Sequence, residues 1–351
     1  MEKASKQFLE TLLSTYSPSG REEVIQEKWL DYVSEFADEV KTDLAGNAYG
    51  ILNPEAEFKV LLAGHADEIA FMVNYIDDKG FLSVVKAGGI NPKLALGNRV
   101  KVLGKEVISG VVGVTAEHHG GAKGEVKPED IYIDCGFKSK EEAEKFVCVG
   151  DYILYAFDYD YLQNDLLVGR GLDNRTGSFI VAEVLKSLKE KNINVGVYAV
   201  STVNEETNMG GAYFAASNVK PSMAIACDVT FATDFPNMSP QKHGKVDLAG
   251  GPVLTKGAPI NFRVNDLLEN AAKDLDMKLQ YELTPRMTGT DADKMRLTGE
   301  GVPVALVSLP LRYMHAPSEI VSMKVIEEEI ELLVKMIENL TGSEDLRPVR
   351  R

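Results

Sequence analysis

The chain has few of the features that mark secreted or nucleic-acid-binding proteins. Its 351 residues include only 3 cysteines and 1 tryptophan, and its formal net charge is −15. Three cysteines without a CxxC spacing argue against a disulfide framework and suit a reducing compartment. The negative charge repels phosphate backbones and anionic lipid, so nucleic acid and membrane surfaces are unfavourable partners.

Long apolar runs and a leader-like N-terminus are missing as well. The apolar runs fall far short of the roughly 20 residues of a membrane-spanning helix. The first residues, MEKASKQFLETLLSTY, carry charges inside an amphipathic helical pattern rather than before an uncharged core. We therefore expect no secretion signal, no membrane partner and a cytoplasmic location.

What the sequence does contain is an alternation of strand and helix patterns. Near-continuous apolar runs are typical of strands buried on both faces of a mostly parallel sheet. Helical patterns between them indicate an α/β fold with helices against that sheet. The predicted strands are 58–67, 195–206, 222–230 and 302–310, and the predicted helices are 176–191, 264–277 and 319–340.

A segment in the first half of the chain interrupts this alternation. From about residue 80 to 162 the sequence is rich in valine and glycine, and helical periodicity occurs only near 139–147. Such a composition with frequent turn signals predicts a small all-β unit. Because a chain of this length should form about two domains, we predict an inserted β-rich domain at 69–162 and a discontinuous domain made of 1–68 and 163–351.

Acidic residues and histidines follow the predicted strands, where open parallel sheets bind their ligands. The first strand ends in His65 and Asp67, the second in Glu205 and Glu206, and the third in Asp228. Taken singly, most have an ordinary structural explanation, such as a hydrogen-bonded histidine or a turn-forming aspartate. The adjacent glutamates are harder to explain, because burying an uncompensated carboxylate is unfavourable.

Two further candidates lie in loops. Asp173 is in the segment GRGLDNRTG, where a helix cap is the alternative, and His315 is in LPLRYMHAPSE. With His65, Glu206 and Asp228 they form the imidazole and carboxylate set that zinc and cobalt accept. Five ligands are too many for one tetrahedral ion, whereas two divalent ions that share a carboxylate fit them and nearly balance the three negative charges.

Two carboxylates of these strand ends are then left over. Glu205 beside such a centre can accept the proton of an attacking water and deliver it to a leaving amine. Asp67, two residues after His65, is placed to orient that imidazole. The sequence therefore predicts a metal-dependent hydrolase, and the ligand types leave zinc, cobalt or manganese open.

Several specific motifs occur in order along nearly the whole chain. They are SPSGREE (17–23), GHADEIAFMV (64–73), GRGLDNRTG (169–177), NEETNMGGA (204–212), ACDVT (226–230), GTDADKMRLTGEGVP (289–303) and LRYMHAPSE (311–319). In this order they resemble the M42 family of dinuclear-metal aminopeptidases. The resemblance implies a phosphorylase/peptidase-like α/β fold in which the insert is a PDZ-like dimerisation domain.

The resemblance also implies a cofactor, a substrate class and an assembly. It implies two zinc or cobalt ions per subunit, peptide substrates, and dimers that build twelve-subunit particles. The residue roles that it implies are Asp173 as the bridging ligand, His65 and Asp228 at one ion, Glu206 and His315 at the other, Glu205 as general acid/base, and Asp67 as the partner of its histidine.

The chain departs from the family pattern after GTDA, where DKMR brings charge close to the expected substrate pocket. Arg296 and Arg312 could bind an acidic substrate residue or could form structural ion pairs. We predict that Arg312, Thr290 and Asp291 contact the substrate. The preferred N-terminal residue, acidic or apolar, stays open.

Two other functions compete with the peptidase. Some relatives are labelled endoglucanases, and a pair of carboxylates can serve a glycosidase. Sugar subsites usually need aromatic platforms, however, and Trp29 is the single tryptophan and lies in a helical pattern. A non-catalytic peptide-binding assembly protein should have lost a ligand or Glu205, and all are present. We therefore favour a metal-dependent aminopeptidase.

Overall fold

The computed structural model describes residues 1–121 and 124–349. Its helices are α1 (Lys3–Leu13), α2 (Glu23–Val33), α3 (Pro92–Ala95), α4 (Lys140–Ala143), α5 (Leu172–Leu188), α6 (Glu205–Asn208), α7 (Gly210–Val219), α8 (Pro240–His243), α9 (Phe262–Asp274), α10 (Ala292–Met295) and α11 (Met323–Glu338). Short 3₁₀ turns lie at Glu117–His119 and Pro128–Asp130.

The strands belong to two sheets and a barrel. They are β1 (Glu39–Thr42), β2 (Ala48–Leu52), β3 (Lys59–His65), β4 (Ala70–Ile76), β5 (Leu82–Ala87), β6 (Arg99–Leu103), β7 (Val107–Val112), β8 (Tyr132–Asp134), β9 (Tyr152–Tyr155), β10 (Tyr159–Leu162), β11 (Leu166–Gly169), β12 (Gly196–Thr202), β13 (Met223–Phe231), β14 (Val253–Gly257), β15 (Gln280–Thr284), β16 (Val304–Leu311) and β17 (Glu319–Ser322).

The main sheet has eight strands in the order β1-β2-β12-β3-β13-β16-β14-β15. At its centre β12, β3, β13 and β16 run parallel, and toward both edges antiparallel pairs interrupt this pattern. The central strands are buried along almost their whole length, as their near-continuous apolar sequences predict. The mixed α/β fold is confirmed.

Helices cover both faces of this sheet. On one face α1, α2, α5, α9 and α11 supply side chains to the largest apolar core, and on the other face α7 and α10 supply a smaller one. The α5 helix is almost entirely buried. Trp29 of α2 packs against it, and its indole Nε1 donates a hydrogen bond to the carbonyl oxygen of Ser178 at 2.9 Å. This burial anchors the N-terminal end of α5 against the sheet.

The segment that interrupts the α/β pattern forms a closed barrel of six strands in the order β4-β5-β8-β7-β6-β9. Its interior is filled by buried apolar side chains such as Phe71, Val102 and Ile153, and all its strand pairs are antiparallel. The all-β character of the insert is confirmed. The domain limits at 69–162 and the PDZ likeness stay predictions.

Two predicted segments end or begin elsewhere than their sequence patterns suggest. The predicted strand 195–206 ends at Thr202, because the chain then turns into the short α6. The predicted helix 319–340 begins only at Met323, because residues 319–322 form β17, which pairs with β11. In the described ranges, no helix combines the length and the apolar character that crossing a bilayer requires.

Candidate functional site

Close backbone packing brings three of the predicted ligands together. A Cβ atom added to Gly64 would lie 2.3 Å from the carbonyl carbon of Gly177, so β3 and α5 approach each other with no side chain between them. His65 is the last residue of β3, Asp173 lies at the start of α5, and Asp228 lies in the neighbouring β13. A Cβ atom added to Gly177 would likewise lie 2.3 Å from the carbonyl oxygen of Cys227, so the close packing of α5 against β3 and β13 brings the three side chains together.

The five predicted ligands form two groups that share Asp173. The Nε2 atom of His65 lies 3.2 Å from Oδ1 of Asp173 and 4.0 Å from Oδ1 of Asp228. On the other side of Asp173, Nε2 of His315 lies 3.3 Å from its Oδ2 and 3.4 Å from Oε2 of Glu206. Within each group, the potential ligand atoms lie within 4.8 Å of one another.

The adjacent glutamates both reach this site because the strand has already ended. Glu205 and Glu206 begin α6, and their backbone N–H groups donate to the two carboxylate oxygens of Asp67 at 3.0 and 3.2 Å. Strand alternation would have pointed the two side chains to opposite faces. Instead, Oε2 of Glu205 lies 3.7 Å from Nε2 of His65, while Glu206 approaches His315.

Asp67 supports His65 from behind. Its Oδ1 lies 3.4 Å from Nδ1 of His65, and the hydroxyl of Ser19 donates to its Oδ2. Burial raises the pKa of Asp67, but the contact with His65 and the hydrogen bond from Ser19 outweigh it and hold the pKa below the usual value of 3.8. This engagement of Nδ1 turns the opposite ring nitrogen, Nε2, toward Asp173.

Burial, together with neighbouring acidic charges, opposes the ionisation of three carboxyl groups of the site. Burial and then the neighbouring acidic charges raise the pKa of Glu205 and of Asp228 well above their usual values, although His65 lowers both. Burial and the charge of Asp173 raise the pKa of Glu206 to about 7. Without added positive charge, the site therefore disfavours the ionised forms of Glu205, Glu206 and Asp228, whereas the two histidines outweigh burial and lower the pKa of Asp173.

Divalent cations fit this donor set. The Oε1 atom of Glu206 is buried and has no hydrogen-bond partner among the described residues. In the part of the chain that the structure describes, no lysine or arginine forms an ion pair with Asp173, Glu206 or Asp228, whose pairs are all with histidine. Imidazole and carboxylate groups are ligands for zinc and related ions.

The three predicted substrate contacts are placed differently. Thr290 lines a cavity of about 390 Å³ that includes the site. Asp291 is buried, accepts a hydrogen bond from the Thr202 hydroxyl at 2.6 Å and does not line the cavity. Arg312 lies outside the lining and makes two contacts with Asp234, at 3.0 and 2.9 Å. Of these three residues, the structure brings only Thr290 to the cavity wall.

Sequence reasoning missed Glu319 as a residue of the site. Its buried carboxylate accepts hydrogen bonds from the backbone N–H groups of His315 and Asp173, at 2.7 and 3.2 Å. It therefore holds the backbone of the shared ligand and of a second ligand together. The signal was present in the motif LRYMHAPSE, where an acid follows the histidine by four residues.

The fold and the histidine–carboxylate site define a hydrolase of the metalloaminopeptidase class. The sequence pattern of the family described as M42 glutamyl aminopeptidase matches residues 46–332. This chain therefore belongs to the M42 peptidase family.

Known proteins of this class are similar over nearly their whole length. The lysyl aminopeptidase of Pyrococcus furiosus is 33% identical over 95% of this chain and 97% of its own. The crystal structure of a TET aminopeptidase from a marine sediment archaeon of the Thaumarchaeota has a TM-score of 0.91 and 29% identity, with 96% of both chains covered. The TET1 peptidase of Pyrococcus horikoshii, which assembles into a tetrahedron or an octahedral shell, has a TM-score of 0.85 and 28% identity, with 96% and 100% covered.

Proposed function

We propose that this protein removes N-terminal residues from peptides and uses two divalent metal ions, zinc or cobalt, to do so. The observation that carries the proposal is that two groups of histidine and carboxylate ligands share Asp173. His65 and Asp228 would complete one ion site, and Glu206 and His315 the other. Membership of the M42 family supports the reaction class.

The ions, when bound, would polarise the scissile carbonyl and lower the pKa of the attacking water. The chain itself supplies the proton carrier. Glu205 belongs to neither ligand group, yet its carboxylate lies 3.7 Å from His65 and lines the cavity. Burial raises its pKa well above 4.5, so this carboxylate can take a proton from water and return it to the leaving amine. Asp67 would orient His65 throughout.

The acidic wall of the cavity would also recognise the free amino group of the substrate. A protonated α-amine is a cation, and Glu205 and Glu206 both line the cavity. A peptide with a blocked N-terminus offers no such charge. A comparison of peptides with free and blocked N-termini therefore tests whether the site acts as an exopeptidase.

We further propose that the protein works as a homo-oligomer in the cytoplasm, with the barrel at a contact between subunits in dimers that build twelve-subunit particles. The TET1 relative forms large closed assemblies, and the barrel exposes apolar side chains that include Val107, Val111 and Tyr132. Exposed apolar groups of this kind are common at subunit contacts. Sedimentation of the purified protein at several concentrations measures the state directly, and a monomer throughout would contradict this assembly.

The deciding experiment compares short peptides with free and with acetylated N-termini. We expect release of the first amino acid from the free peptide only, loss of this activity on chelation, and its return when zinc or cobalt is added. Cellulose oligosaccharides serve as the parallel substrate, because they test the glycosidase alternative. Cleavage of these sugars that survives chelation, with no amino acid release, would contradict the proposal.

A further inference from the structure

Glu282 is an acidic residue beside the site that belongs to neither ligand group. It lies in β15, is half-buried and lines the same cavity as Glu205 and His315. None of the ion pairs within 1–121 and 124–349 includes it, although Lys256, next to its register partner on β14, does form such a pair. Its carboxylate therefore faces the cavity without a cation supplied by the described protein.

Two threonine hydroxyls hold this carboxylate in place. Thr230 donates to Oε2 of Glu282, and Thr255 donates to Oε1. Thr255 is fully buried and is the register partner of Glu282 between β14 and β15. A carboxylate can accept about four hydrogen bonds, so two such donors fix its position and leave capacity for a donor that enters the cavity.

The distance from the candidate metal site suits a long side chain. Thr230 follows Asp228 by two residues on β13, so their side chains share a face and lie about 7 Å apart along the strand. A lysine side chain has a four-carbon stem that covers a separation of this order before its ammonium group. Leu306 and Met314 also line the cavity and offer apolar contacts to such a stem.

Two cations beside this wall are already engaged, and the exposed Arg286 does not line the cavity. Lys256 of β14 pairs with Glu269 at 2.8 Å, and Arg312 pairs with Asp234 at 2.9 Å. Among the described residues, the cavity lining contains no lysine or arginine. An acidic first side chain would thus meet Glu282 with no compensating charge, and a like charge at this position would be repelled.

We propose that Glu282 determines the specificity of this cavity and selects peptides whose first side chain is cationic, lysine or arginine. This inference rests on the proposed aminopeptidase function, because it assigns the cavity to the first residue of the substrate. Hydrogen bonds to charged groups contribute enough that removing the charge at Glu282 should reduce the preference for a cation about 10- to 100-fold.

The test compares lysine with norleucine, which has the same stem and no ammonium group. The ratio of kcat/KM for lysyl- and norleucyl-p-nitroanilide should favour lysine in the wild-type holoenzyme and fall about 10- to 100-fold in Glu282→Gln. Glu300→Gln, at an exposed glutamate outside the cavity, should keep the wild-type ratio. Glu282→Lys should shift the preference from lysyl to glutamyl substrates, and it provides a second variant if Glu282→Gln does not fold.

Two outcomes would overturn the inference: wild-type enzyme that cleaves norleucyl substrate as well as lysyl substrate, or a Glu282→Gln variant that keeps the lysine preference. Cleavage of none of the substrates would instead contradict the proposed function. Calorimetric binding of free lysine and free norleucine separates the two cases, because it needs no turnover. Tighter binding of lysine that Glu282→Gln abolishes would support the selection by Glu282 in either case.

Discussion

Two buried groups of charged residues lie side by side in this protein, and different positive groups neutralise the negative charge of their carboxylates. The carboxylate of Glu68 is paired with Arg170, at 2.6 Å, and with Arg175. Burial raises the pKa of Glu68, but the two arginines outweigh it and lower the pKa below the usual value of 4.5. Among the described residues, the acids of the candidate metal site form ion pairs only with histidines, and the pKa of Asp228 is instead raised well above its usual value by burial.

The start of α5 separates these two groups. Asp173 and Arg175 are two residues apart, yet Asp173 faces the two histidines and Arg175 faces Glu68. The burial of acidic side chains alone therefore does not define a metal site. Where the chain supplies its own arginines the cluster is structural, and where it supplies none the donor set suits an external cation.

The largest effects, on metal content and turnover, should come from substitutions in the candidate metal site, the group that lacks arginines. We expect Asp173→Asn to lose most bound metal, because Asp173 is common to both ligand groups. Glu205→Gln should keep both metals and reduce turnover about 10²- to 10⁴-fold, because only the proton carrier is lost. Elemental analysis together with kcat measures both variants.

The exposed Asp160 provides the control, and Asp160→Asn should change neither metal content nor turnover. Equal loss of metal from Asp173→Asn and Glu205→Gln would show that Glu205 is a ligand rather than a proton carrier.

A smaller effect, on stability rather than activity, should follow from breaking the arginine-paired group. Glu68→Gln leaves Arg170 and Arg175 buried without their carboxylate, which should lower the free energy of unfolding by about 3–5 kcal/mol. Denaturant unfolding measures this loss. Asp158→Asn is the matched control, because Asp158 contacts Arg170 at 3.6 Å but is half-exposed, so its loss should cost less than about 1 kcal/mol. Equal effects of the two substitutions would contradict the comparison.

The smallest expected effect on stability concerns Glu329, a buried acid that forms no ion pair with an arginine among the described residues and belongs to neither ligand group. Both carboxylate oxygens of Glu329 in α11 are buried and have no hydrogen-bond partner within the described parts of the chain. Burial, followed by the charge of Asp228, raises its pKa well above 4.5. Above pH 4.5 the folded protein therefore binds a proton that the unfolded chain has released, so this residue's contribution to stability is lost as the pH rises toward the folded pKa.

Glu329→Gln should remove this pH dependence. Its free energy of unfolding relative to wild type should rise between pH 5 and pH 8, by about 1–3 kcal/mol. Denaturant unfolding across that pH range measures the difference, and Glu331→Gln, at an exposed position on the same helix, should show none. A difference that falls with pH would contradict the raised pKa.

Much of the fold was predictable because it depends on local sequence patterns. Near-continuous apolar runs predicted the central strands, and helical periodicity predicted α5. The segment in which this alternation of strand and helix patterns stops predicted the position of the barrel. The segment 319–322 was not predictable as a strand, since it continues a helical pattern. Its pairing with β11 joins residues far apart in the sequence, and such pairing leaves no local signal.

The site was predictable in its residue types but not in its supporting contacts. The carboxyl-terminal parts of neighbouring parallel strands lie together, so His65 and Asp228 could be placed near each other from sequence, although β13 continues beyond Asp228 to Phe231. The ion-pair partner of Arg312 could not be identified from sequence, because Asp234 precedes Arg312 by 78 residues. Glu282 was missed for a similar reason, because its place in the cavity depends on Thr230 and on the register of the edge strand β15 against β14.

The contact between Gly64 and Gly177 has a practical consequence for engineering. A methyl group at either position would collide with main-chain atoms, so the backbone spacing beneath the candidate metal site does not tolerate larger side chains at these two positions. The edge strand β15 carries no such restriction at its half-buried positions. A mutant library designed for new substrates should therefore diversify that edge and hold the two glycines constant.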